Sequence, residues 1–265
     1  MIIDCHTHLN RYATIENIPL LEDRVKKLLL EMSSHNVDYS LVLSSYQVNK
    51  DRPSTRQLIE ATKKYDNIGL VAGFSIDNHT TADLKQYRKW IKDGFVKGLK
   101  IYCGYEHYYP FDKRYQKVYD TCVEFGIPVM VHTGDTFSEK GKLKFSHPLH
   151  LDEIAVDNPE LKIVMCHLGN PWIEDCQEVV YKNDNVYADI SGLAVGKFDH
   201  FFEEIMVKKV AELISYAGEP HYLLYGTDWP ISDMGSYLSF VSKLQLKKEY
   251  RSELMYQNAK DLFNI

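Results

Sequence analysis

Residues 115–132 read YQKVYDTCVEFGIPVMVH and contain one complete helix-to-strand unit. Apolar side chains recur at three- and four-residue spacing as far as Phe125, as they do on one face of a helix. Gly126 follows at the position where helices commonly end, and Pro128 comes soon after it. The chain then becomes a short apolar run that ends at His132, which is typical of a strand covered on both faces.

The same unit recurs along the 265 residues. Eight apolar runs are predicted as strands, at residues 2–6, 39–44, 68–75, 96–102, 127–132, 162–167, 186–191 and 222–227. Amphipathic segments separate these runs, so the sequence favours an α/β fold, a (β/α)8 TIM barrel that occupies residues 1–265 as one domain. Residues 248–263 are predicted as an extra C-terminal helix. A doubly wound open sheet is the alternative, but no G-x-G-x-x-G follows a strand to mark a dinucleotide site.

Composition excludes some classes of protein. Lys and Arg total 31 against 37 Asp and Glu, which gives a formal net charge of −6 and argues against a polybasic nucleic-acid or membrane-surface protein. The sequence shows no signal peptide and no apolar stretch of transmembrane length, and its five cysteines lack C-x-x-C spacing. We therefore expect a cytoplasmic protein with reduced thiols, a small-molecule substrate, no nucleic-acid or membrane partner, and possible homodimers.

The first predicted strand ends in a pair of histidines, in the motif Asp4-Cys5-His6-Thr7-His8. Side chains alternate along a strand, so His6 and His8 point to the same face, with Asp4 one layer below them. Two imidazoles on one face form half of a site for Zn²⁺ or a similar divalent ion. The motif alone does not exclude a structural pair of histidines.

Other metal-capable side chains occupy equivalent positions. His132, His167 and Asp228 close the fifth, sixth and eighth predicted strands. The C-terminal ends of barrel strands converge on the face that carries the active site. Together with His6 and His8, these residues predict a metal site at that rim.

Four motifs follow one another in the chain: Asp4-x-His6-x-His8, Val131-His132-Thr133-Gly134, Cys166-His167-Leu168-Gly169 and Gly226-Thr227-Asp228-Trp229-Pro230. Together with residues 148–152 and 257–263, they resemble the amidohydrolase superfamily, and in particular its amidohydrolase-related branch. That branch contains hydrolases, lactonases and the aminocarboxymuconate semialdehyde decarboxylase type. The resemblance spans the whole chain.

The resemblance implies that His6, His8, His132 and Asp228 hold one divalent metal ion. Zn²⁺ suits three imidazoles and a carboxylate, and Mn²⁺ is an alternative. His167 would transfer protons beside the ion, and Asp228 would also take a proton from water. The implied reaction is hydrolysis of a small amide, lactone or related carboxylate. Nonoxidative decarboxylation of a small unsaturated or aromatic carboxylate stays open, as does a binding module that has lost catalysis.

Lys100 ends the fourth predicted strand. The superfamily's two-metal members carry a carboxylated lysine at this place that bridges the ions, whereas the one-metal branch does not use it so. Three alternatives stay open: a second metal ion bridged by Lys100, a lysine that binds a substrate carboxylate, and a lysine paired with a nearby carboxylate. No separate glutamate ends the fourth or fifth predicted strand, which favours one metal ion.

Four residues near the predicted rim are candidate substrate contacts: Arg11, Tyr105, Trp172 and Trp229. Aromatic side chains on rim loops can stack on a ring or hydrogen-bond a carboxylate. Arg11 would attract an anionic substrate. For the tyrosine-rich loop 103–110, ordinary loop residues without a function are the alternative.

Overall fold

The computed structural model describes residues 1–12, 15 and 17–265. Its eight strands form one parallel sheet in which each strand pairs with the next in chain order. The strands are β1 (Ile3–Thr7), β2 (Tyr39–Leu43), β3 (Ile68–Phe74), β4 (Val96–Ile101), β5 (Val129–Val131), β6 (Ile163–Met165), β7 (Val186–Asp189) and β8 (Leu223–Leu224). The predicted (β/α)8 barrel is confirmed, and the last four strands are shorter than predicted.

The barrel closes between β1 and β8 through a few backbone contacts in place of a long ladder. The Cys5 N–H donates to the Tyr225 carbonyl at 3.0 Å, and the Asp228 N–H donates to the His6 carbonyl at 2.8 Å. The closure therefore brings the metal-capable end of β1 against the loop that follows β8.

Helices alternate with the strands and pack around them. They are α1 (Leu21–Ser34), α2 (Thr55–Thr62), α3 (Thr81–Lys92), α4 (Gln116–Phe125), α5 (His150–Asp157), α6 (Ile173–Lys182), α7 (His200–Ala217) and α8 (Met234–Lys243), with 3-10 turns at Lys113–Tyr115, Leu143–Phe145 and Cys166–Gly169. Capping boxes at Ser54 and Thr80 start α2 and α3. The helix α4 ends at Gly126, whose φ of 63° is left-handed. Within the described part of the chain, no helix has the length and apolar character needed to cross a bilayer.

The predicted C-terminal helix seals the barrel. It consists of α9 (Lys248–Ser252), a π-helical turn (Glu253–Gln257) and α10 (Asn258–Phe263). Leu262 and Phe263 are buried in the same apolar cluster as the inward-facing strand residues. The Phe263 ring lies 3.3 Å from the point that a Cβ on Gly98 would occupy, near the start of β4. The seal is therefore at the N-terminal end of the strands, and the opposite end is left for the site.

Candidate metal centre

The five metal-capable side chains predicted from the sequence line one cavity of about 200 Å³ at the C-terminal end of the barrel. His6 belongs to β1 and His8 follows it, while His132, His167 and Asp228 follow β5, β6 and β8. All are buried, with exposed fractions from 1% to 9%. The structure thus places these residues at one rim, as the strand-end argument predicts.

Two of these residues have an unusual backbone conformation. His167 and Asp228 have φ angles of 64° and 68°, a left-handed conformation that costs a non-glycine residue on the order of 1 kcal/mol or more. Hydrogen bonds hold both residues there. The His167 N–H donates to Asp189 Oδ1 at 2.9 Å, and the Asp228 N–H donates to the His6 carbonyl at 2.8 Å. Because the chain turns sharply here, β6 and β8 end before the positions predicted for them.

Asp228 and the two histidines of the β1 motif converge on one point. Asp228 Oδ1 lies 3.2 Å from His8 Nε2 and 3.8 Å from His6 Nε2. The opposite ring nitrogens are engaged: His8 Nδ1 is 3.1 Å from the Leu43 carbonyl, and His6 Nδ1 is 2.9 Å from Asp189 Oδ2. An Nδ1–H that donates to oxygen leaves the Nε2 lone pair free, which is the usual arrangement of a metal-binding histidine.

The fit of a divalent ion is tested by Asp228 Oδ1 itself. This oxygen is buried and has no hydrogen-bond partner among the described residues. Such an oxygen is costly to bury unless a cation or donor satisfies it. Nε2 of His6, Nε2 of His8 and a carboxylate oxygen of Asp228 are close enough together to share one ion, and they suit Zn²⁺ or a similar metal.

His132 lines the same cavity in a different orientation. Its Nε2 lies 2.9 Å from the Asp135 carbonyl, and its ring centroid is 5.0 Å from that of His167. Within the described residues, His132 does not join the group of atoms that converge on Asp228. Donation from Nε2 would leave a lone pair on Nδ1, so the role of fourth ligand stays a prediction.

Lys100 lines the same cavity and is only 1% exposed. Its Nζ donates to Cys166 Sγ at 2.6 Å and lies 5.4 Å from the centre of the Tyr102 ring. Burial raises the pKa of Cys166 well above its ordinary value. The hydrogen-bond partner of Lys100 is therefore a thiol, and not the carboxylate that one of the sequence alternatives expected.

Burial and nearby charges set the protonation states of the site. Burial lowers the pKa of His6 to about 4 and also lowers the pKa values of His132 and His167, so these rings are neutral at pH 7. Burial alone would raise the pKa values of Asp189 and Asp228. At the acidic pH where these carboxyl groups titrate, the charge of the adjacent histidines more than offsets burial, so both carboxyl groups stay below their ordinary pKa. Neutral imidazoles beside carboxylates are the forms that bind metal ions.

Asp189 and Ser191 are site residues that the sequence reasoning missed. Both are fully buried, and they contact His6 and His167. A signal was present, because they lie two residues apart at the end of the seventh predicted strand, the position that singled out the other site residues. Arg52 also lines the cavity. It lies in the loop after β2, where nothing in the sequence distinguishes it from other loop arginines.

Of the predicted substrate contacts, the structure places one on the cavity wall and three elsewhere. Tyr105 lines the cavity. Arg11 instead forms an ion pair with Asp51 at 3.2 Å. Trp172 packs beside a loop histidine, and Trp229 is buried in the apolar core outside β8. Arg11, Trp172 and Trp229 therefore do not line this cavity.

Comparisons with known proteins give one family match and several similar solved structures. A family model described as amidohydrolase matches residues 3–265, and no curated protein sequence matches the chain. A zinc-bound amidohydrolase from Burkholderia multivorans is similar in structure, with a TM-score of 0.74, 14% identity, and 100% of this chain and 99% of that chain covered.

Two further solved structures are similar with the same coverage. They are a probable 2-pyrone-4,6-dicarboxylic acid hydrolase from Acinetobacter baumannii (TM-score 0.71, 15% identity) and 5-carboxyvanillate decarboxylase from Sphingomonas paucimobilis (TM-score 0.69, 14% identity). At these identities the likeness shows the fold alone, and that fold carries both hydrolases and decarboxylases. Because the family model spans nearly every residue, the chain belongs to the amidohydrolase family.

Proposed function

We propose that this protein is a metal-dependent hydrolase of a small carbonyl compound, an amide, lactone or related carboxylate. The observation that supports this most is the unpartnered, buried Asp228 Oδ1, which faces Nε2 of His6 and Nε2 of His8. These three residues would hold one divalent ion, with Zn²⁺ as the first choice. When bound there, the ion supplies a Lewis acid that polarises a carbonyl group and acidifies water.

His167 is suited to move the proton in this reaction. Its Nδ1 lies 2.9 Å from Ser191 Oγ and 3.1 Å from the Ser191 carbonyl, which leaves Nε2 as the free nitrogen. Burial lowers the pKa of His167, so the ring is neutral at pH 7 and can accept a proton from water. The same nitrogen can then donate that proton to the leaving group.

Arg52 gives the cavity a site for an anionic substrate. Its guanidinium carbon lies 5.5 Å from the centre of the Tyr46 ring, and its Nη1 is 3.5 Å from Ser45 Oγ. These neighbours are aromatic and hydroxyl groups, so the guanidinium keeps donors for a carboxylate, which it can bind in a bidentate manner. We propose that Arg52 takes the role that the sequence suggested for Arg11.

The aromatic wall of the cavity favours nonoxidative decarboxylation of a small aromatic or unsaturated carboxylate as a second candidate. The rings of Tyr46, Tyr102 and Tyr105 form a continuous group, with centroid separations of 5.2, 5.8 and 6.4 Å. Such rings can stack against a planar substrate. In this reaction a proton replaces CO₂, and His167, which is neutral at pH 7, would first take that proton from solvent at Nε2 and then deliver it to the substrate carbon.

The two candidates differ in their products. Metal-loaded protein, verified by elemental analysis, is incubated in ¹⁸O-labelled water with a panel of lactones, amides and aromatic carboxylates. Entry of ¹⁸O into the organic product supports the hydrolase and rejects the decarboxylase. Release of CO₂ without ¹⁸O in the organic product does the reverse, and no turnover across the whole panel overturns both in favour of a binding module.

A separate experiment tests the metal centre. His6→Ala and Asp228→Asn are each expected to lower the bound metal and abolish turnover while the circular dichroism spectrum stays unchanged. If both variants keep full metal content and activity, the assignment of these ligands is wrong.

A further inference from the structure

Asp189 and Ser191 form a fully buried hydrogen-bonded hub behind the metal centre. Asp189 Oδ1 accepts from the His167 N–H at 2.9 Å, from the Ser191 N–H at 3.1 Å and from the Ser191 hydroxyl. Its second oxygen, Oδ2, lies 2.9 Å from His6 Nδ1. The hub therefore joins β7 to one histidine of the β1 motif and to the histidine that follows β6.

The single proton of the Ser191 hydroxyl determines which tautomer the His6 and His167 rings adopt. Ser191 Oγ contacts Asp189 Oδ1, His6 Nδ1 at 3.0 Å and His167 Nδ1 at 2.9 Å. The hydroxyl carries one proton, and the carboxylate, which only accepts, takes it. Both ring nitrogens must then donate. His167 Nδ1 also lies 3.1 Å from the Ser191 carbonyl, which is another pure acceptor.

The backbone after Ser191 holds the His167 ring against the hub. Gly192 has a φ of 62°, and a Cβ there would lie 2.5 Å from His167 Nδ1 and 3.2 Å from Asp228 Oδ2. A side chain at this position would collide with the ring, so a glycine lets the chain pass close behind it. The ring position and its proton are therefore fixed by the same turn.

From this geometry we infer that Asp189 and Ser191 are positioning residues that hold His6 and His167 in the Nδ1–H tautomer, so that both Nε2 lone pairs face the cavity. Hydrogen bonds from outer residues to a metal-binding histidine typically change metal affinity about 10- to 100-fold. The functional meaning of this inference rests on the proposed metal centre. The tautomers themselves are a property of the metal-free protein.

A second ion is the competing explanation for the same cluster. His6, His167 and Asp189 also lie close enough together to hold a metal ion of their own. In the structure, however, the Ser191 hydroxyl already contacts all three side chains at hydrogen-bond distances. Protons therefore account for the short separations, and stoichiometry can distinguish the two cases.

Asp189→Asn is the sharpest perturbation, because three donors surround Oδ1 and will keep the amide oxygen there. The amide NH₂ would then face His6 Nδ1, and two donors would meet unless His6 moves its proton to Nε2. We expect the His6 ring signals of the metal-free full chain, measured by long-range ¹H–¹⁵N NMR, to change from the Nδ1–H to the Nε2–H pattern. The Zn²⁺ affinity, measured by chelator competition, should fall at least about 10-fold.

Asp4→Asn is the matched control. Asp4 is also a fully buried carboxyl group near His6, but among the described residues its side chain accepts hydrogen bonds only from the His6 N–H at 3.1 Å and from the N–H and hydroxyl of Thr227. The Thr227 hydroxyl can turn to accept from an amide, so we expect an unchanged His6 tautomer and unchanged Zn²⁺ affinity. Spectra of His6→Asn and His167→Asn assign the ring signals.

The outcomes separate this inference from the proposed function. An Nε2–H pattern for His6 or His167 in the wild-type spectrum overturns the inference, and this measurement needs no variant at Asp189. Asp189→Asn with an unchanged His6 tautomer also overturns it, even if stability falls. Two Zn²⁺ ions per wild-type chain, with one lost in Asp189→Asn, would establish the second-ion explanation instead. A wild-type protein that binds no Zn²⁺ rejects the proposed metal centre, while the spectrum still decides the tautomers.

Discussion

Glu106 carries a buried carboxyl group, and its ionisation should set part of the pH dependence of the free energy of unfolding. It lies in the loop after β4, next to the cavity residue Tyr105, and is 5% exposed. Its Oε1 accepts from the Ser75 hydroxyl at 2.6 Å, whereas its buried Oε2 has no hydrogen-bond partner among the described residues. Burial raises the pKa of Glu106 from 4.5 to about 7.

Glu106 binds its proton more tightly in the folded protein than in the unfolded chain, and this difference sets the sign of the pH effect. Between pH 4.5 and about 7 the folded protein keeps a proton that the unfolded chain has lost. Glu106 therefore contributes stability that is fully present below pH 4.5 and is lost as the pH rises to about 7. The difference between about 7 and 4.5, at 1.36 kcal/mol per pH unit, amounts to about 3 kcal/mol in the free energy of unfolding.

Glu106→Gln keeps an acceptor for Ser75 and cannot ionise. The variant should therefore gain stability relative to wild type, by about 2 to 3 kcal/mol, between pH 5 and pH 8. Urea denaturation of metal-free protein at both values measures the change. Glu139→Gln, at an exposed position, is the control and should differ from wild type equally at the two pH values. If the Glu106→Gln difference also stays constant, burial of Glu106 does not hold its proton and the reasoning is wrong.

Three further predictions concern the site and the barrel seal. Arg52→Met should raise the KM for a carboxylate substrate about 10- to 100-fold, the value of a hydrogen bond to a charged group, without changing bound metal; an unchanged KM would remove Arg52 from substrate binding. His167→Asn should keep its Zn²⁺ by elemental analysis and lose turnover, whereas loss of the metal would make His167 a ligand. Phe263→Ala should lower the free energy of unfolding by about 3 to 5 kcal/mol in urea, because it empties the sealed end of the barrel; a loss below about 1 kcal/mol would contradict that seal.

The barrel could be predicted because its repeat depends on local chemistry. A short window of sequence is enough to recognise an amphipathic helix, a glycine such as Gly126 or an apolar strand. The positions where the strands end cannot be recognised in this way. β6 and β8 stop before His167 and Asp228 because those residues adopt left-handed backbones, and the bonds that hold them there come from β7 and β1.

The site, like the fold, could be predicted only in part from the sequence. Strand-end position was sufficient to find the five metal-capable residues that line the cavity, since all barrel strands point their C-terminal ends to one face. It did not give ring orientation, which for His132 depends on a carbonyl oxygen of the following loop. It also did not single out Arg52, because which loop arginine turns inward is decided by its aromatic neighbours and not by its place in the chain.

The charges of the buried site bear on how an acidic protein could bind the anionic substrate proposed here. Asp189 and Asp228 have pKa values below their ordinary range, while burial keeps the nearby histidines neutral, so these groups together carry about two negative charges at pH 7. These two carboxylates attract a divalent cation and oppose a carboxylate bound beside them, whereas the basic side chains of Arg52 and Lys100 line the same cavity. A bound divalent ion cancels that charge, and the Arg52 guanidinium then leaves the cavity positive. An anionic substrate, as proposed here, should therefore bind more tightly when the metal ion is present, and a carboxylate inhibitor should bind more tightly to the Zn²⁺-loaded protein than to the metal-free one.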